Sequence, residues 1–267
     1  MKKGFTLIEF LIVVAIICIL ASIIVPAIKR QSSDNQQVTP AEQTKAPEKP
    51  AIPAYEIDLS KVVMPTDGMT KDSVGMMFCL DRSGSMSSKI GNQRKIDISK
   101  GAMRQVFAQV NDYVRTHPEK KVKVGLCSFN SQVDLLQPLE AFDMNKLQQA
   151  IQPMEPSGGT AIGFALQRSL KELMKSGDET KAILVMTDGE NTSGVVPERV
   201  VQAIKTNANT QKAPTADVEM YLIAFDVAAK QFESVENAGA IVVESRDQKS
   251  LEGIMSSLVD QVLLEKE

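Results

Sequence analysis

Tryptophan is absent from the 267 residues, aromatic side chains make up 4%, and there is one histidine. So few rings leave no stacking platform for nucleic-acid bases or sugars. The lone histidine, His117, stands before Pro118 near the end of a helical stretch, without an evident partner, and reads as a surface turn residue. Three cysteines make no disulfide framework. Cys18 lies inside an apolar span, while Cys79 and Cys127 fall in strand-like runs and read as buried thiols. A bridge between those two stays open, because it depends on a Cα separation that sequence does not supply. An excess of one charge is also missing: 30 basic and 33 acidic residues leave a net charge of −3. No basic stripe stands out, which argues against nucleic acid as a partner. What remains is ordinary globular composition, 43% hydrophobic, with room for one sizeable domain.

One long hydrophobic run is present, at the amino end. Met1-Lys2-Lys3-Gly4 is a short basic leader, and residues 5–25 then run almost unbroken in Leu, Ile, Val and Ala. That length suffices to cross a bilayer as a helix. Lys2 and Lys3 place the leader in the cytoplasm and the rest of the chain outside, a bias that Lys29 and Arg30 weaken without reversing. Glu9 breaks the apolar rule, and an unpaired charge at that depth costs roughly 2.5–3.5 kcal/mol or more. A secretory signal would not carry it and would end in a small-x-small cleavage site, which is not found there.

The stretch Gly4-Phe5-Thr6-Leu7-Ile8-Glu9, with Pro26 further along the helix, resembles the class III leader of type IV pilins and pseudopilins. The resemblance implies cleavage by prepilin peptidase between Gly4 and Phe5 and methylation of the new amine. It also implies that Glu9 meets the N-terminal amine of a neighbouring subunit during filament assembly, so that each buried charge neutralises the other. Beyond residue 30 the chain departs from the pilin pattern. Pro40, Pro47, Pro50 and Pro53 interrupt a polar stretch and favour a semi-extended spacer over a continued helix. The expected organisation is a leader (1–4), a transmembrane assembly helix (5–30), a proline-rich spacer (31–72) and a soluble domain (73–267).

In that domain strand-like runs (74–80, 122–129, 182–187, 218–225 and 240–243) alternate with helical stripes. Met103, Val106, Phe107, Val110 and Val114 form one stripe. Ile162, Ala165, Leu166, Leu170, Leu173 and Met174 form a second, and Leu251, Ile254, Met255, Leu258, Val259 and Val262 a third. The alternation predicts an α/β fold, a Rossmann-like doubly wound and mainly parallel sheet covered on both faces. Asn130-Ser131 between two apolar runs predicts one hairpin, hence one antiparallel edge strand. Sites in such sheets form beyond the carboxyl ends of strands, where strand order reverses.

Asp81-Arg82-Ser83-Gly84-Ser85 emerges where the first strand ends, Gly158-Gly159-Thr160 opens a helix, and Thr187-Asp188-Gly189 closes another strand. Hydroxyls and two carboxylates are hard ligands, suited to Mg²⁺, with Mn²⁺ or Ca²⁺ as alternatives, rather than to zinc or copper. This set looks like the metal-ion-dependent adhesion site of von Willebrand factor A domains, and the resemblance covers about residues 74–264. Lys95-Ile96-Asp97 and the helix after it fit the segment that usually follows the first motif. The resemblance implies that Ser83, Ser85 and Thr160 contact the metal, with Asp81 and Asp188 acting directly or through water. The ion would keep an open position for an acidic side chain of a protein ligand. Residues 87–93 read as a small insertion beside the site, either shaping specificity or simply solvated. Glu190 either leans into the site or faces solvent.

Catalysis is disfavoured: no histidine lies near the motif, no phosphate-cradling loop is present, and no nucleophile has a base. The expectation is a non-enzymatic minor pilin or pseudopilin that displays a metal-dependent adhesion domain outside the bacterial cytoplasmic membrane. A tip position on a type IV pilus-like filament suits so bulky a domain. The competing expectations are an assembly or priming component of a pilus or a type II secretion pseudopilus, and a membrane-anchored interaction scaffold.

Overall fold

The apolar runs lie side by side in one six-stranded sheet. The computed structural model describes residues 70–211 and 218–264. The leader, the assembly helix with Gly4, Phe5 and Glu9, Cys18, and the spacer up to residue 69 lie outside the described residues. Among the described residues no helix is long and apolar enough to cross a membrane.

The strands of the sheet are β1 (Thr70–Asp81), β4 (Lys121–Phe129), β5 (Val133–Ala141), β6 (Asp178–Thr187), β7 (Val218–Phe225) and β8 (Ile241–Ser245), in the spatial order β5-β4-β1-β6-β7-β8. Every pairing is parallel except β4 with β5, the expected antiparallel edge. β1 starts at Thr70, three residues ahead of the expected domain boundary, and β5 runs on past Pro138 to Ala141. An edge position tolerates that proline, because its missing N–H need not face a neighbour.

Alternate residues of the central strands feed two separate cores. Met76, Phe78 and Leu80 of β1 face one side together with Leu184, Met186, Ile223 and Phe225. Met77 and Cys79 face the other with Ile183, Val185 and Leu222. Being buried on both faces is why these strands read as unbroken apolar runs rather than as alternating ones. On the first face sit α1 (Lys95–Thr116), α2 (Met144–Ile151) and α6 (Gln248–Leu264), whose Ile96, Met103, Phe107, Leu147, Met255 and Val259 fill that core. On the second sit α3 (Ile162–Leu173), α4 (Pro197–Gln211) and the short α5 (Glu233–Asn237), which bury Ile162, Leu166, Leu170, Val200, Val201, Ile204 and Val235. α1 ends where expected: His117 follows its last residue, stacks on Tyr113 at 4.3 Å between ring centroids, and precedes a proline that disfavours helix at its position.

Residues 87–93, read from the sequence as an insertion, have structure of their own. A 3-10 turn (Gly84–Ser87) leads into a two-stranded hairpin, β2 (Lys89–Ile90) with β3 (Gln93–Arg94), closed by Gly91 at φ +61° and Asn92. Arg94 anchors its base by ion pairs to Asp97 and Glu155. Cys79 and Cys127 are free thiols, buried directly opposite one another in the β1–β4 register, and the Ser169 hydroxyl lies 2.8 Å from the Cys79 sulfur. Burial pushes the Cys79 thiol well above its usual range.

One close approach ties the second helical layer to the loop after β6. A Cβ built on Gly163, in the first turn of α3, would stand 2.0 Å from the Val195 carbonyl oxygen. Backbone cannot yield as a side chain can, so Gly163→Ala is expected to cost about 1–3 kcal/mol of stability. Urea denaturation of the full chain measures this; an unchanged midpoint would mean that the two segments are not packed this tightly.

Candidate metal centre

Parallel register sets the site. β1 and β6 are neighbours with Leu80 opposite Met186, so Asp81 and Thr187 end adjacent strands at the same level. After β1 the chain goes to β4 on one side; β6 fills the other side, so strand order reverses here.

Asp81 is fully buried. Its Oδ1 accepts from the Ser83 backbone N–H at 2.6 Å and its Oδ2 from the Thr187 hydroxyl at 2.6 Å. The first bond turns the chain out of the strand, with Ser83 in extended conformation at the head of the 3-10 turn. The Ser83 and Ser85 hydroxyls lie 2.9 Å apart, and Ser85 Oγ donates to Asp188 Oδ1 at 2.6 Å. Four of the five expected residues thus form one connected group: Asp81, Ser83, Ser85 and Asp188. Gly84 and Ser85 are exposed while Asp81, Ser83 and Asp188 are buried, so the group is open on one side only.

Thr160 comes to the group by its loop. Gly84 N–H donates to the Gly158 carbonyl at 3.0 Å and Ser157 N–H to the Arg82 carbonyl at 2.8 Å, stitching residues 157–158 to the first motif. Gly158 takes φ +72°, a conformation that glycine adopts without strain. The loop after β6 grips Thr160 itself: Thr160 N–H donates to the Thr192 hydroxyl at 2.8 Å, and its carbonyl accepts from the Thr192 and Ser193 N–H groups at 2.8 and 3.0 Å. Among the described residues the Thr160 hydroxyl is not bonded to the other four. Glu190 is exposed and faces solvent.

Thr187, Lys95 and Asp226 escaped the reading of the sequence as site residues. Thr187 was visible in its motif, but its role as the donor to Asp81 follows only from strand register. Lys95 Nζ lies 3.0 Å from Asp188 Oδ2 and 2.8 Å from Asp226 Oδ2. Burial lowers the Lys95 ammonium's pKa, but bonds to Asp226 and Asp188 outweigh it and the net direction is up. Asp81 moves the other way for a carboxylate's charge: burial first, then the nearby Asp188, push it up to about 6 against the hydrogen bonds from Thr187 and Ser83.

The donor set is all oxygen, hydroxyls with two buried carboxylates. Among the described residues no group of three or more His, Cys, Asp or Glu gathers into a cage. Such chemistry fits a hard divalent cation, which would relieve the burial of two carboxylates and replace the short hydroxyl contacts.

A sheet with this strand order, helices on both faces and this loop constellation defines the class. Residues 76–190 match the von Willebrand factor type A domain, and residues 1–25 match the prokaryotic N-terminal methylation motif. The chain thus carries both a prepilin-type methylation motif at its amino end and a von Willebrand factor type A domain. The uncharacterized protein YwmD of Bacillus subtilis (strain 168) is 26% identical over 174 residues, 62% of this chain and 73% of that protein. Among solved structures, the fold is shared with BatB of Bacteroides thetaiotaomicron (TM-score 0.57, 15% identity, 73% of this chain and 99% of that one). It is shared also with the PilB minor pilin of Streptococcus sanguinis (0.57, 14%, 75% and 63%) and the pilus adhesin SpaC of Lactobacillus rhamnosus GG (0.55, 12%, 74% and 31%). This chain spans less than two thirds of the last two.

Asp81 titrates near 6 when folded and near 3.8 as an ordinary carboxylate. Between those values the folded state holds a proton that the unfolded state has lost, so stability falls as pH rises through that window. The metal-free chain is expected to lose about 3 kcal/mol from this group between about pH 4 and pH 6 and to recover none of it above. Urea denaturation in a chelator across that range checks the slope, which Asp81→Asn should flatten.

Proposed function

We propose that this chain is a minor pilin that displays a metal-dependent protein-binding domain at the tip of a type IV pilus-like filament. The observation that carries the reading is the joining, in one chain, of a prepilin-type methylation motif and an oxygen-only site at the carboxyl end of a von Willebrand factor type A sheet. That a minor pilin and a pilus adhesin share this fold supports it.

In this reading Ser83, Ser85 and Thr160 contact a divalent cation, Mg²⁺ foremost, and Asp81 and Asp188 serve it directly or through water. When bound, the cation supplies an electrophilic open position that a partner's Asp or Glu side chain fills. Asp81 carries out two tasks: its Oδ1 turns the loop that presents Ser83 and Ser85, and its Oδ2 locks onto Thr187. Neutral hydroxyls in place of further carboxylates keep the site from carrying more negative charge than the ion's own 2+, so an anionic partner is not repelled. In this reading the chain works as a binding device: the Ser85 hydroxyl donates to Asp188, and the Lys95 ammonium on the other oxygen of that carboxylate weakens it as a base. Prepilin peptidase would cut after Gly4 and methylate Phe5, residues 5–25 would hold the chain in the cytoplasmic membrane until assembly, and Glu9 would seat it among other pilins in the filament at the cell surface.

Asp81→Ala is expected to leave filaments intact and to reduce adhesion to an immobilised acidic protein ligand at least tenfold, as a chelator does to the unaltered chain. A chelator-insensitive adhesion would remove the metal from the reading. Filaments that disappear in Asp81→Ala would instead identify an assembly or priming component, whose site grips another part of the machine. Glu9→Ala should abolish surface display; undiminished display would leave a membrane-anchored scaffold.

A further inference from the structure

Lys95 is oddly placed for a cation. It is the first residue of α1, where the helix dipole disfavours positive charge, and its side chain is only 9% exposed. Both penalties are offset by two carboxylates from the ends of neighbouring strands: Asp188 follows β6, Asp226 follows β7, and Thr187 pairs with Ala224. The two acids differ in kind. The Asp188 side chain is fully buried, whereas that of Asp226 is 43% exposed, on a backbone in the left-handed region at φ +57°. Asp188 is held from both sides, since Oδ1 accepts from the Ser85 hydroxyl and Oδ2 from the Lys95 ammonium.

We propose that Lys95 is a positioning residue for the metal centre, and that Asp226 sets how strongly it acts. This rests on the metal-site reading of Asp81, Ser83, Ser85, Thr160 and Asp188. Lys95 turns Asp188 so that one oxygen, Oδ1, faces the serine hydroxyls and the other is withheld. It also cancels part of the Asp188 charge, which loosens the site's hold on a cation and leaves that cation more attractive to an incoming carboxylate. Asp226 draws Lys95 the other way. With Asp226 present the ammonium shares its charge between two acids; without it, the whole charge bears on Asp188. Cation affinity is thus governed by a residue that lies outside the metal-binding motif and faces solvent.

A double-mutant cycle read by calorimetric titration of the full chain in detergent with Mg²⁺ tests this. Lys95→Gln keeps a donor for Asp188 while removing the charge, and should tighten Mg²⁺ binding about fivefold or more; Asp226→Asn should weaken it about threefold. Asparagine accepts the left-handed backbone, so Asp226→Asn does not depend on rescuing a strained fold. The decisive reading is coupling: in the Lys95→Gln background, Asp226→Asn should change affinity by less than about 1.5-fold. The Lys95–Asp188 pair is buried and weakly screened, so the Lys95→Gln effect should persist in about 0.5 M salt, whereas a general field effect would fade there and would appear equally in the exposed control Lys89→Gln. Additive effects, or a Lys89→Gln change as large as that of Lys95→Gln, would overturn the proposal while leaving the metal site standing. Failure of the unaltered chain to bind Mg²⁺ would remove both.

Discussion

The parallel pairing of β1 with β6 is the constraint on which the site depends. Leu80 stands opposite Met186, so the two strands deliver Asp81 and Thr187 to the same level, and one hydroxyl-to-carboxylate bond joins them. A register slip of one residue would turn every side chain of β1 to the opposite core, exchanging Met76, Phe78 and Leu80 for Met77 and Cys79. Both faces are packed, so such a slip is strongly opposed from above and below. The geometry of a few oxygen atoms at one end of the sheet is therefore held by apolar packing along the whole of it.

Much of this was legible in the residues. Strands 74–80, 182–187 and 218–225 announce themselves because burial on both faces demands apolar residues at every position, and the three long helical stripes announce themselves by their period. α2 and α4 did not, for a physical reason. α2 buries only Leu147 and Ile151 in eight residues, and α4 presents Val200, Val201 and Ile204 amid polar neighbours, too short an apolar face to stand out. The outer strand β5 carries Pro138 and partly exposed residues, so its apolar run stops at Leu136, short of its second half. At the centre itself the three motifs were readable because each keeps its hydroxyls and acids within a few residues. Lys95 and Asp226 were not readable as partners: nothing local links them, and only the adjacency of β6 and β7 brings the second acid to the ammonium.

The electrostatics form a gradient rather than a simple cage. Asp81 is fully buried and reluctant to ionise, because burial and the neighbouring Asp188 both oppose its charge. Asp188 is buried but shared with a cation, and Asp226 beyond it reaches water. Such an arrangement avoids the cost of two unpaired buried carboxylates without a full complement of fixed cations. It also explains why hydroxyls predominate near the opening: Ser85 lies where solvent enters, and a neutral donor there adds an oxygen without adding a charge.

β1 runs from Thr70, where the chain from the amino-terminal segment enters, to Asp81, where the candidate centre begins. The two points lie at opposite ends of one central strand, paired on one side with β4 and on the other with β6. Any tension between a captured partner and the tether would therefore run along the strand axis. Hydrogen bonds on both flanks would be loaded in shear, all at once, instead of being peeled one after another. Strand order alone thus gives the domain a direction in which it is mechanically strong, and under the proposed function it would be the direction of pull.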